Sequence, residues 1–76
     1  MNCLVCGVEA EQIAANAVNR VSIHCPKCGE YDVETAVIAA GQWQRLAPER
    51  RRDVLDQAKR SAAMGARPLI RPYLLA

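Results

Sequence analysis

Three observations predict a small α+β domain stapled by a metal ion. One five-residue word occurs twice, as CLVCG at residues 3–7 and CPKCG at 25–29, and the two copies contain every cysteine of the 76-residue chain. The apolar period changes from two to about 3.6 near residue 35. Pro68 and Pro72 then exclude a continuing helix, because each removes a backbone donor and clashes with the preceding turn. The expected architecture is an N-terminal unit of about three antiparallel strands over residues 1–35, followed by one short and one longer α-helix and an extended C-terminal tail. Residues 36–76 are expected to pack on the first part as a single folding unit.

Size makes a staple necessary. A domain of this length buries only about 60% of the surface its unfolded chain exposes, so its core alone leaves it marginal. Phenylalanine is absent, and the aromatic residues are Tyr31, Trp43 and Tyr73. The chain has no run of about 18 apolar residues and no basic-then-apolar leader, so no membrane association and a cytoplasmic location are expected. Reducing conditions there disfavour structural disulfides and favour metal binding.

Cys3 and Cys6 form one CxxC, Cys25 and Cys28 form the other, and residues 7–24 make an 18-residue spacer between them. That length falls within the roughly 15 to 20 residues of a four-thiolate zinc site. Gly7 and Gly29 follow the two words and allow the positive φ that turns backbone N–H groups toward the sulfurs, while Pro26 stiffens the second turn. Four thiolates close the coordination sphere, so one structural Zn²⁺ per chain is expected, with no open position for a water or a substrate. A thioredoxin-like redox pair lacks its βαβ context here. His24 adjoins Cys25, but strand neighbours point to opposite faces, so it is assigned to the surface or to the layer behind the ligands.

The words CLVCG and CPKCGEYDV, in the order knuckle, hairpin, knuckle, strand, resemble the zinc-ribbon family over residues 1–35, as found in small bacterial zinc-binding proteins. The resemblance implies a fold and a structural zinc, without a particular activity. A rubredoxin-type iron site uses similar words, with a longer spacer and an aromatic cluster of which only Tyr31 is near in this sequence. Between the knuckles, Ile13, Ala15 and Val18, then Val21 and Ile23, read as two strands joined by a turn near Asn19, and Tyr31 and Val33 alternate in a third.

The segment from Thr35 to Leu46 reads as a short helix with Thr35 as N-cap and Ala36, Ala40, Trp43 and Ala47 on one face, weakened by Gly41. Pro48 suits the first position of the longer helix and Glu49 its positive end; the helix should run to about Met64 and stop at Gly65. Its apolar stripe is Val54, Leu55, Ala58 and Ala62. Trp43 is expected in the core. Leu69, Ile70, Tyr73, Leu74 and Leu75 form the largest apolar cluster; packing over the ribbon and helices is the first expectation, and an exposed patch for a partner or a second copy is the alternative.

Charge is unevenly divided. Residues 1–41 carry two basic and five acidic residues, net −3, and residues 42–76 carry eight and three, net +5. Arg52, Asp56 and Arg60 follow at i,i+4, the pattern of an ordinary solvated face held by ion pairs. Two functional readings follow. The first is a non-enzymatic protein-binding module, an adaptor or regulator of a larger assembly, with a homodimer or a small mobile-element-encoded inhibitor as variants. The second is a nucleic-acid binder contacting phosphates through the basic helix. Arg50, Arg51, Arg52, Lys59, Arg60, Leu69 and Tyr73 are the candidate partner-binding residues. A net charge of only +2 and the lack of an aromatic stacking platform favour the first. Neither catalysis nor a small-molecule substrate is expected, because one histidine and paired surface carboxylates assemble no nucleophile, base and orienting group.

Overall fold

A computed structural model describes residues 1–14 and 18–75, and in it the alternation around the second knuckle becomes a hairpin. Strand β2 (Arg20–Cys25) pairs antiparallel with β3 (Gly29–Glu34), matching Val21 to Val33 and Ile23 to Tyr31. β1 (Glu11–Ile13) pairs antiparallel with the other edge of β2, and Ile13 lies opposite Ser22, on the face away from Ile23. Ala15, placed by the alternation in the first strand, lies outside the described residues, and Val18 is fully exposed at the turn. The other aliphatic residues of β2 and β3 face inward because a half-buried sheet sorts side chains with period two.

The sheet has four strands and is mixed, not three and antiparallel. Leu69–Ile70 of the tail forms β4, parallel to β3, with Leu69 opposite Asp32 and Ile70 opposite Val33. A parallel neighbour requires a long crossover, here the whole helical segment, and no local pattern announces it. Ile70 is buried, and Pro72–Leu75 closes the tail as a 3₁₀ turn that packs Leu74 and Leu75 on the core. Tyr73 remains 65% exposed. The tail is thus partly core and partly surface.

Three helices replace the expected two. The chain turns at Gly41 (φ 76°), which splits the expected first helix into α1 (Thr35–Ala39) and α2 (Gln42–Arg45). The break resets the helical phase, so Val37 and Trp43 are buried while Ala36, Ala40 and Ala47 face solvent. Thr35 is the first helical residue, not the N-cap; its hydroxyl donates to the Asn19 carbonyl at 3.1 Å and ties the β1–β2 turn to the end of β3. α3 (Pro48–Ser61) starts where Pro48 predicts, with Glu49 in its first turn and Lys59 and Arg60 in its last, each complementing the helix dipole. It buries Val54, Leu55 and Ala58 and ends three residues before Met64, at an extended Ala62. That early exit releases residues 62–68 to return to β3, where the Pro68 carbonyl accepts the Asp32 N–H at 2.8 Å.

The core is one cluster. Ile23, Tyr31, Val33 and Ile70 of the sheet meet Val37, Trp43, Val54 and Leu55 of the helices, and Cys3, Val5 and Cys25 join it from the knuckles. The opposite face of the sheet is not simply solvated. Asp32 is 3% exposed there, accepting the Ser22 hydroxyl at 2.6 Å, with Arg67 Nε at 3.4 Å and Arg20 Nη1 at 3.7 Å. A carboxylate taken from water at this depth needs such partners, since an unpaired buried charge is severely destabilising. No helix of the described residues is long and apolar enough to cross a membrane.

Candidate metal centre

Each CxxC turn places its two sulfurs on one side because the next residue bends the backbone. Gly7 and Gly29 have φ of 80° and 82°, a conformation that a Cβ disfavours. In the first knuckle the Gly7 N–H donates to the Cys3 carbonyl at 3.0 Å and the Cys3 N–H to the Val8 carbonyl at 2.7 Å. The second knuckle is the β2–β3 hairpin itself, with Cys25 paired to Gly29.

The two turns face each other, and the four Sγ atoms lie within 4.8 Å of one another. Cys3 and Cys28 sulfurs are 3.9 Å apart and those of Cys6 and Cys25 3.5 Å. Tetrahedral zinc with Zn–S bonds of about 2.3 Å demands sulfur separations of about 3.8 Å, so the set fits a single ion at its centre. All four cysteines are free thiols. His24 stands apart, half-exposed, with Nδ1 at 3.5 Å from a Glu30 carboxylate oxygen.

The metal-free electrostatics are lopsided. Burial pushes the Cys3 thiol up, but hydrogen bonds from the backbone at Cys6, the Tyr31 hydroxyl and the Val5 N–H outweigh it and bring the pKa down to about 6. Burial and neighbouring sulfurs drive Cys28 far above the ordinary thiol range, and burial foremost raises Cys6 as well. One sulfur is therefore ready as a thiolate while at least two resist, as like charges at this spacing must. A divalent cation removes that conflict and displaces the remaining protons.

Behind the sulfurs stands a layer whose role the sequence did not disclose. The Tyr31 hydroxyl accepts the Leu4 N–H at 3.1 Å and lies 3.1 Å from Cys3 Sγ, so its own proton is free for the sulfur. Burial and the adjacent Cys3 raise the Tyr31 pKa well beyond its usual value, so the hydroxyl stays protonated. Trp43, 2% exposed, donates its indole N–H to the Leu4 carbonyl at 2.8 Å. Leu4 is thereby held at both its N–H and its C=O, and α2 is pinned to the first knuckle. The signal for Tyr31 was its place three residues after Cys28 in an inward strand phase; nothing local linked Trp43 to Leu4.

The candidate partner-binding residues do not form one surface. Arg51 stacks over Trp43, 5.8 Å from the ring centroid, and donates to the Trp43 and Gln44 carbonyls at 3.2 and 3.3 Å. Arg50 reaches the Leu74 carbonyl at 3.4 Å, and Arg60 the Asp56 carbonyl of its own helix at 3.4 Å. Arg52 and Lys59 instead line a cleft of about 290 Å³ with Lys27, beside the half-buried Cys6 and Cys28. Three cations and the Asp56 carboxylate thus flank a site whose tetrathiolate–zinc form would carry about −2. Leu69 is half-buried in β4, and Tyr73 lies with it on a separate cleft beyond the end of α3. No protein-family model, curated protein or solved structure matches the chain.

Proposed function

We propose that the chain is a non-enzymatic module of the zinc-ribbon kind, in which Cys3, Cys6, Cys25 and Cys28 hold one structural Zn²⁺ and the C-terminal face docks another protein as adaptor or regulator. The observation that carries the docking is Tyr73, 65% exposed at a cleft it shares with Leu69 and Arg71. Tyrosine and arginine are residue types that dominate binding energy at protein interfaces. Among the helix cations, Arg50, Arg51 and Arg60 donate to carbonyls within the chain, which weakens the case for a row of phosphate contacts along α3. The metal supplies shape: it ties the N-terminal knuckle to the hairpin so that α2, α3 and the tail have a fixed surface to pack on.

A second reading has one observation behind it. Lys27, Arg52 and Lys59 converge on a cleft and could meet a phosphate of a nucleic acid. The two separate by recovery of the tagged chain from its native cell with and without nuclease, alongside Tyr73→Ala. Protein docking predicts a complex that survives nuclease and weakens by about 2 kcal/mol, about thirtyfold, in the variant. Material lost to nuclease, with a steep salt dependence unaffected by Tyr73→Ala, would favour the nucleic-acid reading.

A further inference from the structure

The cleft that bears Tyr73 has a charge that the docking reading alone does not explain. It measures about 400 Å³, and Arg20 from the start of β2 and Arg67 and Arg71 from either side of β4 all line it, with Ser61 at the end of α3 and no acidic residue in its wall. That size falls in the range of about 300–1,000 Å³ typical of ligand clefts. Alanines 58, 62, 63 and 66 line it too, so a main chain can come close without meeting long side chains.

Three guanidinium groups brought together from distant parts of the sequence repel one another, and the protein compensates for only one of them. Asp32, buried beneath the sheet surface, engages Arg67 through Nε and Arg20 through one terminal nitrogen, at ion-pair distances of 3.4 and 3.7 Å. Among the described residues no acidic group besides Asp32 pairs with either fork, and Arg20 Nε is buried without a hydrogen-bond partner. Among the described residues no acidic group pairs with Arg71, which is exposed. The cleft thus carries three cations and one internal counter-charge, with planar donor forks that match carboxylates in bidentate geometry.

We propose that this cleft receives an acidic peptide segment of the partner protein, its carboxylates paired with Arg20, Arg67 and Arg71 and its neighbouring side chain packed on Tyr73. This assignment rests on the protein-docking reading and names the chemistry of the partner. A nucleic-acid strand suits the cleft less well, because the cations surround one depression in place of tracking a backbone, and Tyr73 is the single aromatic at its edge.

The test uses the full zinc-loaded chain, titrated at physiological salt with hexaglutamate, with hexaglutamine of the same length, and with an oligothymidylate strand, and followed by amide chemical shifts. Hexaglutamate is expected to bind at least about tenfold more tightly than hexaglutamine and to shift Ser61, Arg67, Leu69 and Arg71. Arg71→Ala should weaken it by about tenfold, Arg71→Lys by less, since charge persists while the fork is lost, and Arg71→Glu should abolish the preference for hexaglutamate over hexaglutamine, because two cations then face two carboxylates. Arg71 is exposed, and unchanged shifts elsewhere show that each variant is folded. Equal binding of the two glutamyl and glutaminyl peptides, shifts centred on Lys27 and Arg52, displacement of hexaglutamate by the oligonucleotide, or concentration-dependent self-association through these residues would each overturn the assignment. Equal peptide binding with partner capture still dependent on Tyr73 removes the acidic segment and leaves docking intact; loss of that Tyr73 dependence removes both.

Discussion

Replacing Tyr31 by phenylalanine deletes one oxygen and leaves the ring in place, so it isolates the layer behind the metal ligands. That oxygen accepts the Leu4 N–H and faces Cys3 Sγ, each at 3.1 Å. A net hydrogen bond is worth about 0.5–1.5 kcal/mol, and leaving a buried partner unpaired adds to the loss. Cys3 is buried, whereas Leu4 is half-buried and water can reach its N–H, so the sum is about 2 kcal/mol, about thirtyfold in metal affinity. This agrees with the tenfold to hundredfold range typical of partners behind metal ligands. Competition against a chromophoric chelator measures it. A variant with zinc affinity within about twofold of the parent would refute the reasoning, and Tyr31 would then be packing alone.

Elemental analysis should find one zinc per chain, and chelation should collapse amide dispersion, since structural zinc contributes about 10–16 kcal/mol while a domain has about 5–15 to lose; a metal-free protein with unchanged dispersion contradicts this, and ferric-thiolate absorbance would indicate iron. Zinc affinity should rise with pH around neutrality: Cys6 and Cys28 are held above the ordinary thiol value, so binding releases their protons, and each released proton changes affinity by up to about tenfold per pH unit. A flat profile between pH 6 and 8 would show that the thiols are ionised beforehand. Asp32→Ala should destabilise the zinc-loaded chain by about 2–3 kcal/mol in urea, below the value for a fully buried pair because Arg20 and Arg67 retain 27% and 21% exposure, and a change under about 0.5 kcal/mol would mean that water replaces the carboxylate.

The sequence by itself determined the features set by short spacing. Two CxxC turns, each closed by a glycine that must adopt positive φ, specify a pair of sulfurs apiece; the 18-residue spacer suffices for a hairpin to return the second pair to the first. The start of α3 at Pro48 and its stripe of Val54, Leu55 and Ala58 were legible for the same reason, because a cap and a 3.6-residue period act within one turn or two. Gly41 was visible as a weak point, but whether it bends a helix or ends it depends on what Val37 and Trp43 can bury on either side. Only the tertiary structure decided that the tail adds a parallel strand 35 residues after β3, that Trp43 clamps Leu4 39 residues away, and that Arg20 and Arg67 meet at Asp32. Those contacts have no local signature: closing a long loop depends weakly on its length, so many distant pairings were comparably accessible, and burial of the whole core selected among them. The charge runs show the same division. Along the chain they read as an acidic half and a basic half, and folding set some cations beside the thiolates, turned others onto carbonyls, and gathered three around a cleft at the far end.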